Sequence, residues 1–149
     1  MRNLIYVLLL TLHLGCKVEQ TPDLLSPFIK MELAKQNGIV DISKFDKIKW
    51  DKLYLISAYQ TSRSFDETVL RYENEIENTG ITHSEDFNLI LLFNGKELVN
   101  FSTVQIRDIN FAGAHKEANY KNVPYLKNSA VFRYKTDANG LRFIPTKQI

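Results

Sequence analysis

Few side chains in this 149-residue chain are of a kind that does covalent or metal chemistry: one cysteine, Cys16, and three histidines, His13, His83 and His115. A zinc site needs three or four ligands at recognisable spacing, and His83-Ser84-Glu85-Asp86 offers only a cramped local cluster that reads as a polar loop leading into a strand. No metal ligand is assigned. Nucleophilic catalysis by serine needs a base and an oxyanion hole, and no G-x-S-x-G elbow occurs; Ser64 reads instead as a helix cap. Glu73, Glu75 and Glu77 alternate along a predicted helix, so they diverge around its axis and read as its solvated side. The glycines stand singly as turn residues and form no phosphate loop. No catalytic residue and no cofactor is therefore assigned, and the non-enzymatic reading is the leading one.

Lys116, Tyr120, Lys121, Tyr125 and Lys127 form an aromatic and basic run that suits stacking and charge pairing. It reads either as an ordinary surface loop with its tyrosines packed on a sheet or as a contact site, in which case Lys116, Tyr120, Lys121 and Tyr125 are the partner-binding candidates. Charge does not favour nucleic acid: without Arg2, which lies in the leader, eighteen Lys and Arg face seventeen Asp and Glu. Near-neutrality gives no general pull toward polyanions.

Cys16 closes an N-terminal stretch with the three parts of an export signal. Met1-Arg2-Asn3 is a minimal positive region, Leu4 to Leu14 is apolar apart from Thr11 and His13, and Gly15-Cys16 ends it. As a helix those apolar residues span roughly 16 Å, about half of a 30 Å hydrocarbon core, so they do not cross a bilayer stably. Simple secretory cleavage before Cys16 is disfavoured by His13 at the third-last leader position.

Gly15-Cys16 after the apolar run resembles a bacterial lipoprotein signal, in which the cysteine is lipidated and becomes the mature N-terminus. Leu12 is displaced by one position from the usual leucine, and Leu14 stands where a small residue is usual. The resemblance implies lipid attachment at Cys16, because thioether formation to a diacylglycerol needs a sulfur nucleophile and cleavage needs an unhindered neighbour. It also removes the lone thiol from disulfide or redox chemistry. An uncleaved or differently cleaved leader and a buried structural Cys16 are the alternatives. A second resemblance rests on "WDKLYLISAYQT", Trp50 to Thr61, with the following helix and "LLFNGKELV" hairpin. The segment from Ile48 to Phe101 is similar to small uncharacterised bacterial lipoproteins with a Trp-Asp-Lys-hydrophobic-Tyr strand motif, and it carries no functional residue over. Trp50 and Tyr59 read as core or rim packing.

The rest of the chain must build the scaffold. Apolar residues at 44% and aromatics at 11% suit a single folded domain. Lys17 to Leu25 reads as a tether, and Ser26-Pro27 as the start of a short helix with Phe28 and Met31 on one side and Asn37-Gly38 as its stop. Leu53 to Tyr59 is apolar or small at both parities, the pattern of a central strand covered on both faces. Ser64 and Glu67 suggest a capping box for a helix from Phe65 to about Glu77, with Phe65, Val69, Tyr72 and Ile76 along one stripe. Asn94-Gly95 predicts a two-residue hairpin loop, with Phe93 facing Lys96, Leu91 facing Leu98 and Ile90 facing Val99. "AVFRYK" and "LRFIP" predict a second hairpin around Thr136 to Gly140, and Ile109 and Phe111 suggest a short strand between the two.

These elements predict an α+β domain: one antiparallel sheet of four to five strands with two helices packed on one face. The expected organisation is a signal peptide over 1–15, a tether over 16–25 and a single domain over 26–149. The expected function is that of a lipoprotein of the cell envelope, anchored to the membrane by palmitate or a similar acyl chain and facing the periplasm or cell exterior. There it would bind or inhibit an envelope protein partner or support an assembly. The alternatives are a cell-wall-directed hydrolase and a periplasmic small-ligand binder.

Overall fold

The computed structural model describes residues 22–58, 60–106, 108–111, 123–137 and 140–146. Its elements in chain order are α1 (Leu25–Ala34), β1 (Ile39–Asp41), β2 (Lys52–Ile56), α2 (Glu67–Leu70), α3 (Glu73–Asn78), β3 (Phe87–Asn94), β4 (Glu97–Gln105), β5 (Tyr125–Leu126), β6 (Val131–Asp137) and β7 (Gly140–Pro145), with short 3-10 turns between them. The fold is α+β, with every strand-to-strand ladder antiparallel.

The strands divide between two sheets instead of joining one. A four-stranded sheet runs β4-β3-β2-β5 and a three-stranded sheet runs β1-β6-β7. The reason lies in β2 and β3. Leu53, Tyr54, Leu55 and Ile56 are all buried, as are Leu89 to Phe93, so both faces of this strand pair need apolar cover. On one face Leu53, Leu55, Ile90 and Leu92 pack with Leu25 and Ile29 of α1, Val40 of β1, and Phe132 and Phe143 of β6 and β7. On the other face Tyr54, Ile56, Leu89, Leu91 and Phe93 pack with Phe65, Val69, Ile76 and Ile81. The helices therefore lie on opposite faces, α1 on one and α2 with α3 on the other, and not together on one side.

The helices also start and stop differently from expectation. Asp23 accepts a hydrogen bond from Ser26 N–H at 3.0 Å, α1 begins at Leu25, and Leu25 is fully buried, so the fold includes residues assigned to the tether. The buried stripe is Leu25, Ile29 and Glu32, while Met31 is exposed. Left-handed backbone at Gln36 (φ 50°) follows the last turn, ahead of the predicted Asn37-Gly38 stop. The second helix is broken. Asp66 caps α2 by accepting from Thr68 and Val69 N–H at 2.9 Å each, and Ser64 donates to Thr61 C=O instead of forming a capping box. The short polar side chain with its acceptor nearest the first helical amides wins. Tyr72, at φ −114°, separates α2 from α3.

The first hairpin is present with a shifted loop. Asn94 pairs with Glu97 and Phe93 with Leu98, so Gly95 and Lys96 form the loop, and an irregularity at Leu92/Phe93 brings Leu91 opposite Phe101. Gly95 has φ +64° and Lys96 does not share the positive sign, which is the pattern of a glycine-first loop. Asp51 holds it: its carboxylate accepts from Gly95 N–H at 3.0 and 3.1 Å, while Lys52 Nζ donates to Gly95 C=O at 3.2 Å. In the second hairpin the strands run closer to the tip than predicted, with Asp137 opposite Gly140. Asn110 bridges Arg142, donating to Leu141 C=O and accepting from Phe143 N–H, and Phe111 stacks edge-on with Phe143.

Two-sided burial makes a direct prediction. Leu91→Ala and Leu92→Ala open holes in different cores, and each should cost about 2–5 kcal/mol. Chemical denaturation of the two variants should show similar losses; a loss confined to one of them would mean that one face of β3 is not packed.

Candidate functional site

A cleft lies beside α1, where the end of β4 meets Thr136 of β6 and Leu141 of β7. Its volume is about 540 Å³. Ile29 and Leu33 of α1, Val104 of β4, Ile109 and Leu141 supply apolar lining, and Asp23, Ser26, Lys30, Thr103, Gln105, Asp108 and Thr136 supply the polar atoms. The volume falls within the range of small-ligand sites, and polar and apolar side chains both contribute to the lining.

Sequence and local structure explain how the walls are placed. The chain enters α1 through Pro22 and Asp23, which are fastened to β4: Asn100 Nδ2 donates to Pro22 C=O at 3.1 Å, and Ser102 Oγ donates to Asp23 Oδ1. The same Asp23 oxygen accepts from Ser26 N–H, so this carboxylate works as a structural clasp. Asp108 and Ile109 N–H close a turn on Gln105 C=O at 3.0 and 2.9 Å, forming the far end of the cleft. Ser26 Oγ is buried without a hydrogen-bond partner among the described residues. Hydroxyls, one lysine and engaged carboxylates can orient a bound group, and these residues do not assemble a nucleophile with a base.

The residues singled out by sequence fall in several places. Cys16, His115, Lys116, Tyr120 and Lys121 lie outside the described residues. His83 is exposed at the end of a 3-10 turn, away from the cleft lining, and no group of three or more potential metal ligands occurs among the described residues. Tyr125 is 6% exposed and its ring meets Phe132 edge-on at 5.2 Å, so that ring is core packing and offers little contact surface. Lys127 sits with Nζ 5.0 Å from the centre of the Trp50 ring, and Trp50 Nε1 donates to Phe45 C=O at 2.8 Å. The Trp50-Asp51-Lys52 motif is thus structural: one residue anchors in the core and the next two hold the hairpin loop. Sequence reasoning missed the cleft because its residues come from five separated segments with no shared spacing. No stretch signals it: Thr103 and Gln105 are polar, but so are Glu97 and Asn100 elsewhere in the same strand.

No protein-family model matches the chain, no curated protein matches it, and no solved structure matches its fold.

Two tyrosines give the molecule a defined alkaline response. Burial pushes the Tyr125 phenol up to about 12. Burial, followed by the hydrogen bond from Tyr54 Oη to Asp66 Oδ2 at 2.6 Å, raises Tyr54 as well. Below pH 10 both phenols are protonated in the folded and unfolded chain. Above it the unfolded chain releases protons that the folded chain retains, so stability falls as pH rises from about 10 toward 12. Tyr125 alone should account for a loss on the order of 2 kcal/mol by the end of that window. Denaturation curves across this range should fall less steeply for Tyr125→Phe; an unchanged slope would mean that the ring is not buried.

Proposed function

We propose that this chain is a membrane-anchored envelope lipoprotein whose domain acts as a non-enzymatic protein-binding, inhibitor or assembly module. The single observation that carries the reading is the leader, an apolar run too short to span a bilayer and closed by Gly15-Cys16. The fold is compatible with it in one specific respect. Pro22 and Asp23 are bound to β4, so an acylated Cys16 lies six residues, at most about 21 Å of extended chain, from a fixed point on the domain. Acyl chains supply the membrane affinity at about 0.8 kcal/mol per buried methylene, and two or more make anchoring stable. The domain itself then needs no membrane-binding surface, and no helix among the described residues is long and apolar enough to cross a bilayer.

The cleft beside α1 supports a binding role, with Lys30 exposed at its rim. Its volume also favours a second reading, a periplasmic small-ligand binder, in which the ligand occupies the space between Ile29, Val104 and Leu141.

Metabolic labelling tests the anchor. The wild-type chain should incorporate labelled palmitate and Cys16→Ser should lose the label; an unlabelled wild type would contradict the reading. A photocrosslinking residue in place of Lys30 tests the module in cells. A discrete protein adduct is expected, and an absence of protein adducts together with ligand-dependent thermal stabilisation would favour the small-ligand reading.

A further inference from the structure

The register of β6 and β7 fixes the outer face of the three-stranded sheet. Phe132, Tyr134 and Phe143 turn inward to the core, so the alternate residues Arg133, Lys135, Arg142 and Ile144 turn outward. They form two rows. Ile39, Arg133 and Ile144 stand side by side across the three strands, and Lys135 stands directly opposite Arg142 in the next row. Successive outward residues on a strand lie about 7 Å apart, so Arg133, Lys135 and Arg142 share one patch. All three are exposed, and none has an ion-pair partner among the described residues. Asp41, on the same face of β1, is already held by Lys44 Nζ at 3.1 Å, and Asp137 stands at the hairpin end of β6, opposite Gly140.

Like charges directly opposite each other destabilise a ladder. Lys135 and Arg142 make no bond that offsets this, so packing within the fold does not account for the pair. The acidic residues are concentrated elsewhere: the connection from β2 to β3, residues 57–86, holds seven Asp and Glu against two Arg and carries α2 and α3. Those helices pack on the opposite face of the four-stranded sheet from β6 and β7. The near-neutral chain is thus polarised across its layers. With layers about 10 Å apart, the acidic helices lie roughly 20 Å behind the basic face, well beyond the ~8 Å Debye length. An anionic surface at the basic face meets the cations without the carboxylates.

We propose that this face docks on a lipid surface carrying anionic headgroups, with Arg133, Lys135 and Arg142 on phosphate groups and Ile39 and Ile144 against the interface. Ile39 is 37% exposed, and cations with apolar neighbours on one flat face are the combination that binds at an interface. The choice of a lipid surface over an acidic protein surface rests on the anchor proposed above. The acyl chains supply attachment, and this face sets which side of the domain meets the bilayer.

The test attaches the full Cys16→Ser chain to vesicles through an N-terminal histidine tag and a nickel-chelating lipid, so it does not depend on acylation. One introduced thiol, Ile39→Cys on the face or Glu77→Cys on α3, reports access to a bulky water-soluble maleimide, and Ile144→Cys serves if Ile39→Cys does not fold. Replacing part of the phosphatidylcholine by phosphatidylglycerol should slow modification on the face at least about fivefold, the weight of one cation held at an anionic surface, and leave Glu77→Cys unchanged. Raised salt should abolish the difference. Arg133→Glu with Lys135→Glu should abolish it too, while Lys135→Glu alone sets unlike charges opposite each other and should raise the melting temperature. A lower melting temperature would contradict the argument from the pair. Equal modification on neutral and anionic vesicles, slowing at Glu77→Cys instead, or protection by a soluble acidic polypeptide but not by anionic vesicles would overturn the docking. A wild-type chain without palmitate label would overturn the anchor and leave this measurement standing.

Discussion

A strand pair whose central residues are apolar on both faces must be covered twice, and the arrangement of this molecule follows from that constraint. Leu53 to Ile56 and Leu89 to Phe93 alternate their side chains between two faces, and neither face has polar residues to offer water. The chain meets the demand with different materials. Before β2 and after β5 it supplies α1 and the three-stranded sheet, whose Phe132 and Phe143 stack with Phe111; between β2 and β3 it supplies the two short helices. Burying one such leucine or phenylalanine side chain is worth about 1.5–3 kcal/mol, which exceeds any single surface contact in the molecule.

That constraint was legible in the sequence at β2, where both parities are apolar, and it pointed correctly to a strand buried on two sides. What could not be read was the identity of each cover. Phe132 and Phe143 alternate with polar residues in their hairpin as well as they would in an extension of the first sheet. Only their packing opposite Leu53 and Leu92 separates the sheets. The hairpin register failed for a local reason. Asn94-Gly95 is a strong loop signal, but Asp51, more than forty residues earlier in the chain, binds the Gly95 amide and moves the loop by one residue. Likewise Asp66 took the cap from Ser64 because its carboxylate serves two helical amides and the Tyr54 hydroxyl at once.

The same accounting explains why the Trp-Asp-Lys motif and Tyr125 look functional in the sequence and prove structural. Tryptophan and tyrosine carry large apolar area with one polar atom, and both here find core positions: Trp50 with its N–H on Phe45, Tyr125 against Phe132. The cleft has the opposite history. Its walls are assembled from segments far apart in the chain, fastened by Asp23 and Asn100 to the outer strand β4, and no single stretch advertises it. The point at which the chain enters the fold and the outer strand of the sheet are thus joined, which ties the position of any N-terminal anchor to the β4 side of the domain.

The most direct test of the account is native-state hydrogen exchange across the whole chain. If β2 and β3 are the shared centre of two cores, the ladder amides of residues 53–56 and 89–92 exchange only through global unfolding, while amides of α1 and of α2 with α3 open at equal or lower free energy. Amides of either helical cover that outlast those of the β2–β3 ladder would contradict it.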